Sequence, residues 1–245
     1  GEVVLTQPQC VPDQNFATCP YPKPERREGL ALGLKTAEEN ACDLLIATDP
    51  DADRVGIAAR GKEGYDLFNG NEVGLLLTRY LLEERRGRGE PTGNLLIIKT
   101  IVTTNLAKKI AADNGAGVID VLTGFKYIGE QIGVLEERGE ADRFLLGFEE
   151  SYGYLLGTQV RDKDALVAAL AICKMAAEYK AKGQGLKGAL EEIYARYGRL
   201  TNTLLSYSFS GAEGQEKIEG IMSRLRSRKP TEICGKKGRR YVDYL

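Results

Sequence analysis

The stretch that decides the fold is Asp43-Leu44-Leu45-Ile46-Ala47-Thr48-Asp49-Pro50-Asp51-Ala52-Asp53-Arg54-Val55-Gly56-Ile57-Ala58-Ala59. Asp43 to Thr48 is an apolar run of strand length, and Val55 to Ala59 is a second one. The carboxylates of Asp49, Asp51 and Asp53 therefore lie on a turn between two strands. Upstream, Pro24-Glu25 opens a helix, with Leu30, Leu34 and Ala37 keeping helical spacing to about Asn40. A helix feeding such a strand is the grammar of α/β proteins.

The same grammar repeats downstream, after a break at Gly61 to Gly64. Asn71 to Arg85 reads as a helix, Leu95 to Lys99 as a strand, and Asn105 to Asp113 as a helix capped by Thr104. Gly117 to Leu122 reads as a strand, Phe125 to Arg138 as a helix, and Arg143 to Phe148 as a strand. Helices follow over Asp164 to Ala181 and Leu186 to Tyr197, then a strand over Leu200 to Phe209 and an amphipathic helix over Glu213 to Arg226. Ser210-Gly211-Ala212-Glu213 reads as the cap of that last helix, and Ser227 to Leu245 is a basic tail short of core residues.

Composition narrows the chemistry. Lysine and arginine number 34 against 35 aspartates and glutamates, a net charge of -1, so no basic excess draws the chain to nucleic acid. No apolar run approaches the ~20 residues that a bilayer demands, and Gly1 to Gln7 lacks the regions of a signal peptide. The five cysteines are scattered without a Cys-x-x-Cys pair, which reads as reduced thiols in a cytoplasmic protein, with Cys42 and Cys173 in the core. There is no histidine, which removes Ser-His-Asp triads, Cys-His dyads and imidazole bases together.

The chemistry then falls to carboxylates, lysine, arginine and hydroxyls. Three carboxylates on alternate residues of a tight turn repel one another unless a cation neutralises them, and hard oxygen donors favour magnesium, manganese or calcium. A solvated acidic turn is the plainer alternative. A calcium loop of the EF-hand type fails, because Arg54 stands where its glycine belongs and Arg60 where its glutamate belongs. Arg54 suits a phosphate or substrate anchor, or a salt bridge that holds the loop. Glu149, Glu150 and Ser151 follow an apolar strand between glycines, where α/β sheets bind ligands; their groups suit vicinal sugar hydroxyls, and a plain polar turn is the equal alternative. Thr123-Gly124-Phe125-Lys126 joins a strand to a helix and offers free amides and a lysine to an anion. Lys99 is similarly placed at a strand end. In Arg161-Asp162-Lys163-Asp164 the aspartates read as helix caps, while Lys163 is left to face a ligand.

Taken in order, these segments resemble the α-D-phosphohexomutases, the phosphoglucomutase and phosphomannomutase superfamily. Pro12-Asp13, Phe16 and Pro22-Lys23-Pro24-Glu25 resemble the family's entry into its second domain, and Asp49 to Arg54 its magnesium loop. Thr123 to Lys126 resembles a domain-three loop facing the phosphosugar, and Gly147-Phe148-Glu149-Glu150-Ser151 the sugar-specificity loop. The resemblance implies a fold of two consecutive mixed-sheet α/β/α units, the first incomplete. Residues 1–64 would be the latter part of domain two, 65–210 domain three, and 211–245 a run-in to domain four.

It further implies that Asp49, Asp51 and Asp53 bind Mg²⁺ and that Arg54 and Lys126 act on the moving phosphoryl group. Glu149, Ser151, Thr123, Gly124, Lys99 and Lys163 would bind a phosphorylated sugar such as a glucose or mannose phosphate. The implied reaction passes a phosphoryl group from an enzyme phosphoserine to the sugar phosphate, through a bisphosphorylated sugar. The family's Ser-His-Asn-Pro nucleophile loop cannot occur in a chain without histidine, and its Arg-x-Ser-Gly-Thr phosphate loop is also missing. Gln159 stands where close relatives are expected to carry histidine. The chain is therefore expected to be an inactive central fragment of a mutase that self-associates through its cut edge. The alternatives are a truncated protein that binds sugar phosphates or a partner without catalysis, and a phosphatase with Asp49 as nucleophile.

Overall fold

The computed structural model describes residues 1–201, 207–233, 235–237 and 243. The chain forms two compact units, Gly1–Leu200 and Thr201–Leu245. In the first, helix α1 (Arg27–Glu39) leads into strands β1 (Leu44–Thr48), β2 (Val55–Gly61) and β3 (Gly64–Phe68). These make a three-stranded antiparallel sheet in the order β1-β2-β3. Helix α1 starts later than its proline predicts. The Pro24 carbonyl and ring lie against Gly56 of β2, at 2.6 and 2.7 Å from where a Cβ there would sit, so the chain is held to the sheet at Pro24 and coils only beyond it. Gly61 to Gly64 is a hairpin rather than a break: Gly61 pairs with Gly64, whose φ of +110° suits glycine. The strand beyond it, β3, is too short and too polar to read as one.

Helix α2 (Gly70–Gly87) follows, opened by a capping box in which Asn69 and Glu72 exchange bonds with each other's backbone amides. Strands β4 (Leu96–Thr100), β5 (Gly117–Val121), β6 (Phe144–Phe148) and β7 (Tyr154–Leu155) form a second sheet in the order β5-β4-β6-β7. β4 is parallel to both β5 and β6, and β7 returns antiparallel to β6. Helices α3 (Leu106–Asp113) and α4 (Phe125–Glu137) make the crossovers. After β4 the chain passes to one side through α3, then to the other through α4. The carboxyl ends of three parallel strands thus point the same way around central β4, the arrangement in which α/β sheets open a crevice.

Both faces of this sheet are covered. On β4, Ile97 enters a core shared with α2, α3, β2, β3, α5 (Ala165–Ala181) and α6 (Leu186–Tyr197), while its neighbour Ile98 packs under α4 with Ile128 and Ile132. The second unit carries α7 (Gly211–Ser227) and a short antiparallel pair, β8 (Glu232–Ile233) with β9 (Lys236–Lys237). Ser210 holds the N-cap position of α7, but its side chain makes no capping bond, contrary to expectation. Of the strand expected over Leu200 to Phe209, residues 202–206 lie outside those described, and the described residues 200–201 and 207–209 form no strand. Cys173 was expected in the core and is exposed, because α5 turns Ala168, Ile172, Met175 and Tyr179 inward instead. Among the described residues no helix is long and apolar enough to cross a membrane.

Candidate active site

The acidic turn is built by its first residue. Asp49 Oδ1 accepts the amides of Asp53 (3.1 Å) and Arg54 (3.0 Å), and the Asp49 amide donates to the Arg54 carbonyl (3.3 Å). Ala52 takes a left-handed φ of +54° to close the loop. Carboxylate oxygens of Asp49, Asp51 and Asp53 come within 4.8 Å of one another. Asp49 is largely sequestered, and burial first of all pushes its carboxyl up, with Asp53 and Asp51 adding repulsion. Asp53 Oδ1 is buried without a hydrogen-bond partner. An oxygen-only donor set that includes an orphaned buried carboxylate oxygen fits a hard divalent cation, and a merely solvated turn leaves no oxygen dry.

Arg54 donates to Glu25 Oε1 through Nη1 at 2.8 Å, while its Nε stands 3.7 Å from Asp53 Oδ1. The salt bridge that stood as the alternative to an anchoring role for Arg54 is thus present. The sequence offers Glu25 only as a helix opener, since nothing in the spacing links residues 29 positions apart.

Backbone bonds fasten this turn to the loop after β6. Val55 donates to the Tyr152 carbonyl (3.1 Å), Arg54 bridges Gly153, and Ala165 at the start of α5 donates to the Ala52 carbonyl (3.1 Å). Lys163 spans the junction, with Nζ 3.0 Å from Asp53 Oδ2 and 3.0 Å from Asp162 Oδ1. Its stem crosses Gly153, where a Cβ would lie 2.2 Å from Lys163 Cδ, so only glycine leaves the path open. Burial alone would lower the Lys163 ammonium, but the hydrogen bonds to Asp162 and Asp53 win and raise it. Burial likewise pushes Asp53 up, but its bonds to Lys163 and Asp49 and the positive charges of Lys163 and Arg54 together outweigh it and hold the carboxyl low.

Glu149 is 7% exposed and accepts the Gly124 amide on Oε1 at 3.1 Å and, at 3.5 Å, the Ser151 hydroxyl on Oε2. Burial raises its carboxyl above the ordinary value against those bonds and against Lys163. Gly124, with φ +120°, precedes α4, and Thr123 and Lys126 are exposed beside it. Lys126 Nζ lies over the Tyr127 ring at 4.7 Å. The structure therefore joins 49–54, 149–153, Lys163 and the 123–124 turn in one contiguous contact set. As expected, Asp164 caps α5, accepting the amides of Leu166 (2.9 Å) and Val167 (3.0 Å).

Lys99 is placed differently from its expected contact with a ligand. It is fully buried, and Nζ engages Asp120 Oδ1 (2.9 Å) and the carbonyls of Thr100 (3.2 Å) and Thr103 (3.0 Å). Those three acceptors match its three protons. Burial lowers its ammonium, and Asp120 works against that.

Comparison with known proteins gives this arrangement a family. Residues 2–62 match the model of phosphoglucomutase/phosphomannomutase alpha/beta/alpha domain II, and residues 69–197 match that of domain III. A phosphoglucomutase of Staphylococcus aureus (strain MSSA476) is 41% identical over 242 residues, covering 98% of this chain and 43% of that protein. The chain thus spans less than half the length of this curated relative. Among solved structures, a candidate phosphomannomutase from Thermus thermophilus superposes with a TM-score of 0.55 at 26% identity, over 78% of this chain and 40% of that one. Parafusin, a Paramecium phosphoglucomutase, shares the fold with a TM-score of 0.53 at 21% identity, over 76% of this chain and 30% of that one. With two successive domain models matched in order, the chain belongs to the phosphoglucomutase/phosphomannomutase family.

Proposed function

We propose that this chain carries the cation loop and the sugar-phosphate-binding face of a phosphosugar mutase, one that interconverts hexose 1-phosphate and 6-phosphate. The observation that carries the reading is the bonding of the acidic turn to the loop after β6, through Val55 to Tyr152 and Lys163 to Asp53. The two adjoining loops then offer cation ligands and hydroxyl-binding groups side by side.

In this reading Asp49, Asp51 and Asp53 hold Mg²⁺, which when bound neutralises and polarises phosphoryl oxygens. Arg54, oriented by Glu25, faces the phosphoryl group, where a fixed guanidinium stabilises developing charge. Glu149 and Ser151 accept and donate to sugar hydroxyls. The Thr123-Gly124 turn faces the phosphosugar, Lys126 acts with Arg54 on the moving phosphoryl group, and Lys163 binds the sugar phosphate while linking the sugar loop to the cation loop. Lys99, with every proton engaged inside the protein, supports the site rather than touching the ligand. The reaction requires a serine nucleophile, and the histidine-bearing loop that presents it in the family does not occur in this sequence. The chain alone is therefore expected to bind but not to turn over glucose 1-phosphate.

Calorimetric titration of Mg²⁺ and Mn²⁺, with and without glucose 1,6-bisphosphate, tests the reading. Binding that is lost in Asp51→Asn and tightens when the bisphosphate is present is the expected result. Cation binding indifferent to both would place the cation elsewhere and sink the proposal.

A further inference from the structure

Glu150 lies between the two residues assigned to sugar hydroxyls, yet its carboxylate is committed elsewhere. Oε2 accepts the Thr103 hydroxyl at 2.8 Å and stands 3.2 Å from the Thr100 hydroxyl. The two hydroxyls are themselves 2.6 Å apart. One arrangement satisfies all three groups: Thr100 donates to Thr103, and Thr103 donates to Glu150. Both threonines are buried, at 0% and 2% exposure, so their hydroxyls have no water to fall back on.

The turn that presents them is rigid. Thr103 donates its amide to the Thr100 carbonyl (3.1 Å), Lys99 ties both carbonyls to its ammonium, and Asp120 holds Lys99 from β5. Asn71 of α2 accepts the Thr104 amide at 2.9 Å, which fixes the far side of the same turn. Glu150 is also held through its backbone. A Cβ on Gly70 would come within 2.1 Å of the Glu150 carbonyl, so the loop rests directly on the first turn of α2.

We infer that Glu150 is a positioning residue, locking the 149–153 loop onto the turn after β4 through Thr103 and Thr100. Its neighbour Glu149 is thereby set where it accepts the Gly124 amide (3.1 Å), and Tyr152 where it accepts the Val55 amide (3.1 Å). One side chain so fixes the spacing of the sugar loop, the 123–124 turn and the cation loop. The lock itself stands on geometry alone; its consequence for ligand binding rests on the function proposed above.

The test is backbone amide exchange in Thr103→Val, Thr103→Ser and Glu150→Gln, with glucose 6-phosphate titrated into the same proteins. Valine keeps the shape of threonine and removes the donor, while serine keeps the donor. Exchange at the Val55 and Gly124 amides should speed about tenfold in Thr103→Val, as expected for losing a hydrogen bond to a charged group. Ile97 and Ile98 in β4 should stay at the wild-type rate, Thr103→Ser should restore Val55 and Gly124, and Glu150→Gln should fall between. The sugar phosphate should bind more weakly in Thr103→Val and recover in Thr103→Ser. Unchanged exchange at Val55 and Gly124 in both Thr103→Val and Glu150→Gln overturns the inference. A wild-type chain that binds no sugar phosphate instead overturns the functional reading, and the exchange data still decide the lock.

Discussion

Glu149 shows what the site costs the fold at the level of one residue. A carboxylate 7% exposed is poorly solvated when ionised, so its folded-state pKa lies above the ordinary value despite the Gly124 amide and Lys163. The folded state therefore holds the proton more tightly than the unfolded state does. Stability is favoured while the pH lies below the unfolded value and is lost as the pH rises through the folded one. Glu149→Gln, which is neutral at every pH, should then be more stable than the wild type at pH 7. Its advantage should shrink toward pH 4, and urea denaturation at the two values measures it; an advantage that grows on acidification would contradict the account. At this scale the sequence was legible where residue type carries the chemistry. Three alternate aspartates and a glutamate-serine pair after a strand announce themselves by their atoms. Glu25 and Thr103 were not legible, because an ion pair with Arg54 and a bond to Glu150 depend on a fold that joins distant positions.

Among the elements, α2 is the one that brings the site together, and its glycines do this by absence. A Cβ on Gly74 would lie 2.2 Å from the Phe148 ring, the residue before Glu149, and the Gly70 position meets the Glu150 carbonyl. The helix thus lies flush under the end of β6. Gly74→Ala adds a methyl group where a fully buried ring cannot move aside. Helix propensity alone would favour alanine by up to about 1 kcal/mol. Overpacking costs about 1–3 kcal/mol and should win, so the expected net effect is destabilisation. Chemical denaturation of Gly74→Ala decides the sign, and a stabilised variant would show that β6 can yield. Periodicity disclosed α2 readily because Val73, Leu76, Leu77 and Tyr80 share a face, but it gave no sign of why Gly70 and Gly74 lie within it. Elements fixed by tertiary contact escaped it too. β7 is two residues long and exists through its pairing with β6, and the start of α1 is set by Pro24 against Gly56. The exposed Cys173 marks the same limit: α5 is apolar nearly all round, so its sequence does not say which face turns inward.

At the scale of the whole molecule, the weak point is the outer edge of the three-stranded sheet. β1 pairs with β2, and no other described strand pairs with it. The Arg60 amide donates to the Asp43 carbonyl, and the Asp49 amide to the Arg54 carbonyl. Antiparallel alternation then directs the odd-numbered residues of β1 toward β2 and leaves the amides of Leu44, Ile46 and Thr48 facing outward. Leu44, Leu45, Ile46 and Ala47 are only half buried, so the edge offers apolar side chains as well as unpaired backbone. Such an edge is a template for another strand, and a second copy of this chain supplies one. Sedimentation velocity should show a dimer that grows with concentration. Thr48→Pro removes an outward amide from an exposed position without touching the ladder to β2, a place where strands tolerate proline. The variant should return the chain to a monomer while leaving its thermal midpoint within a few degrees. Dimerisation that persists in Thr48→Pro would locate the contact away from β1, and a wild-type chain monomeric at high concentration would show that the half-buried apolar edge is adequately protected as it stands.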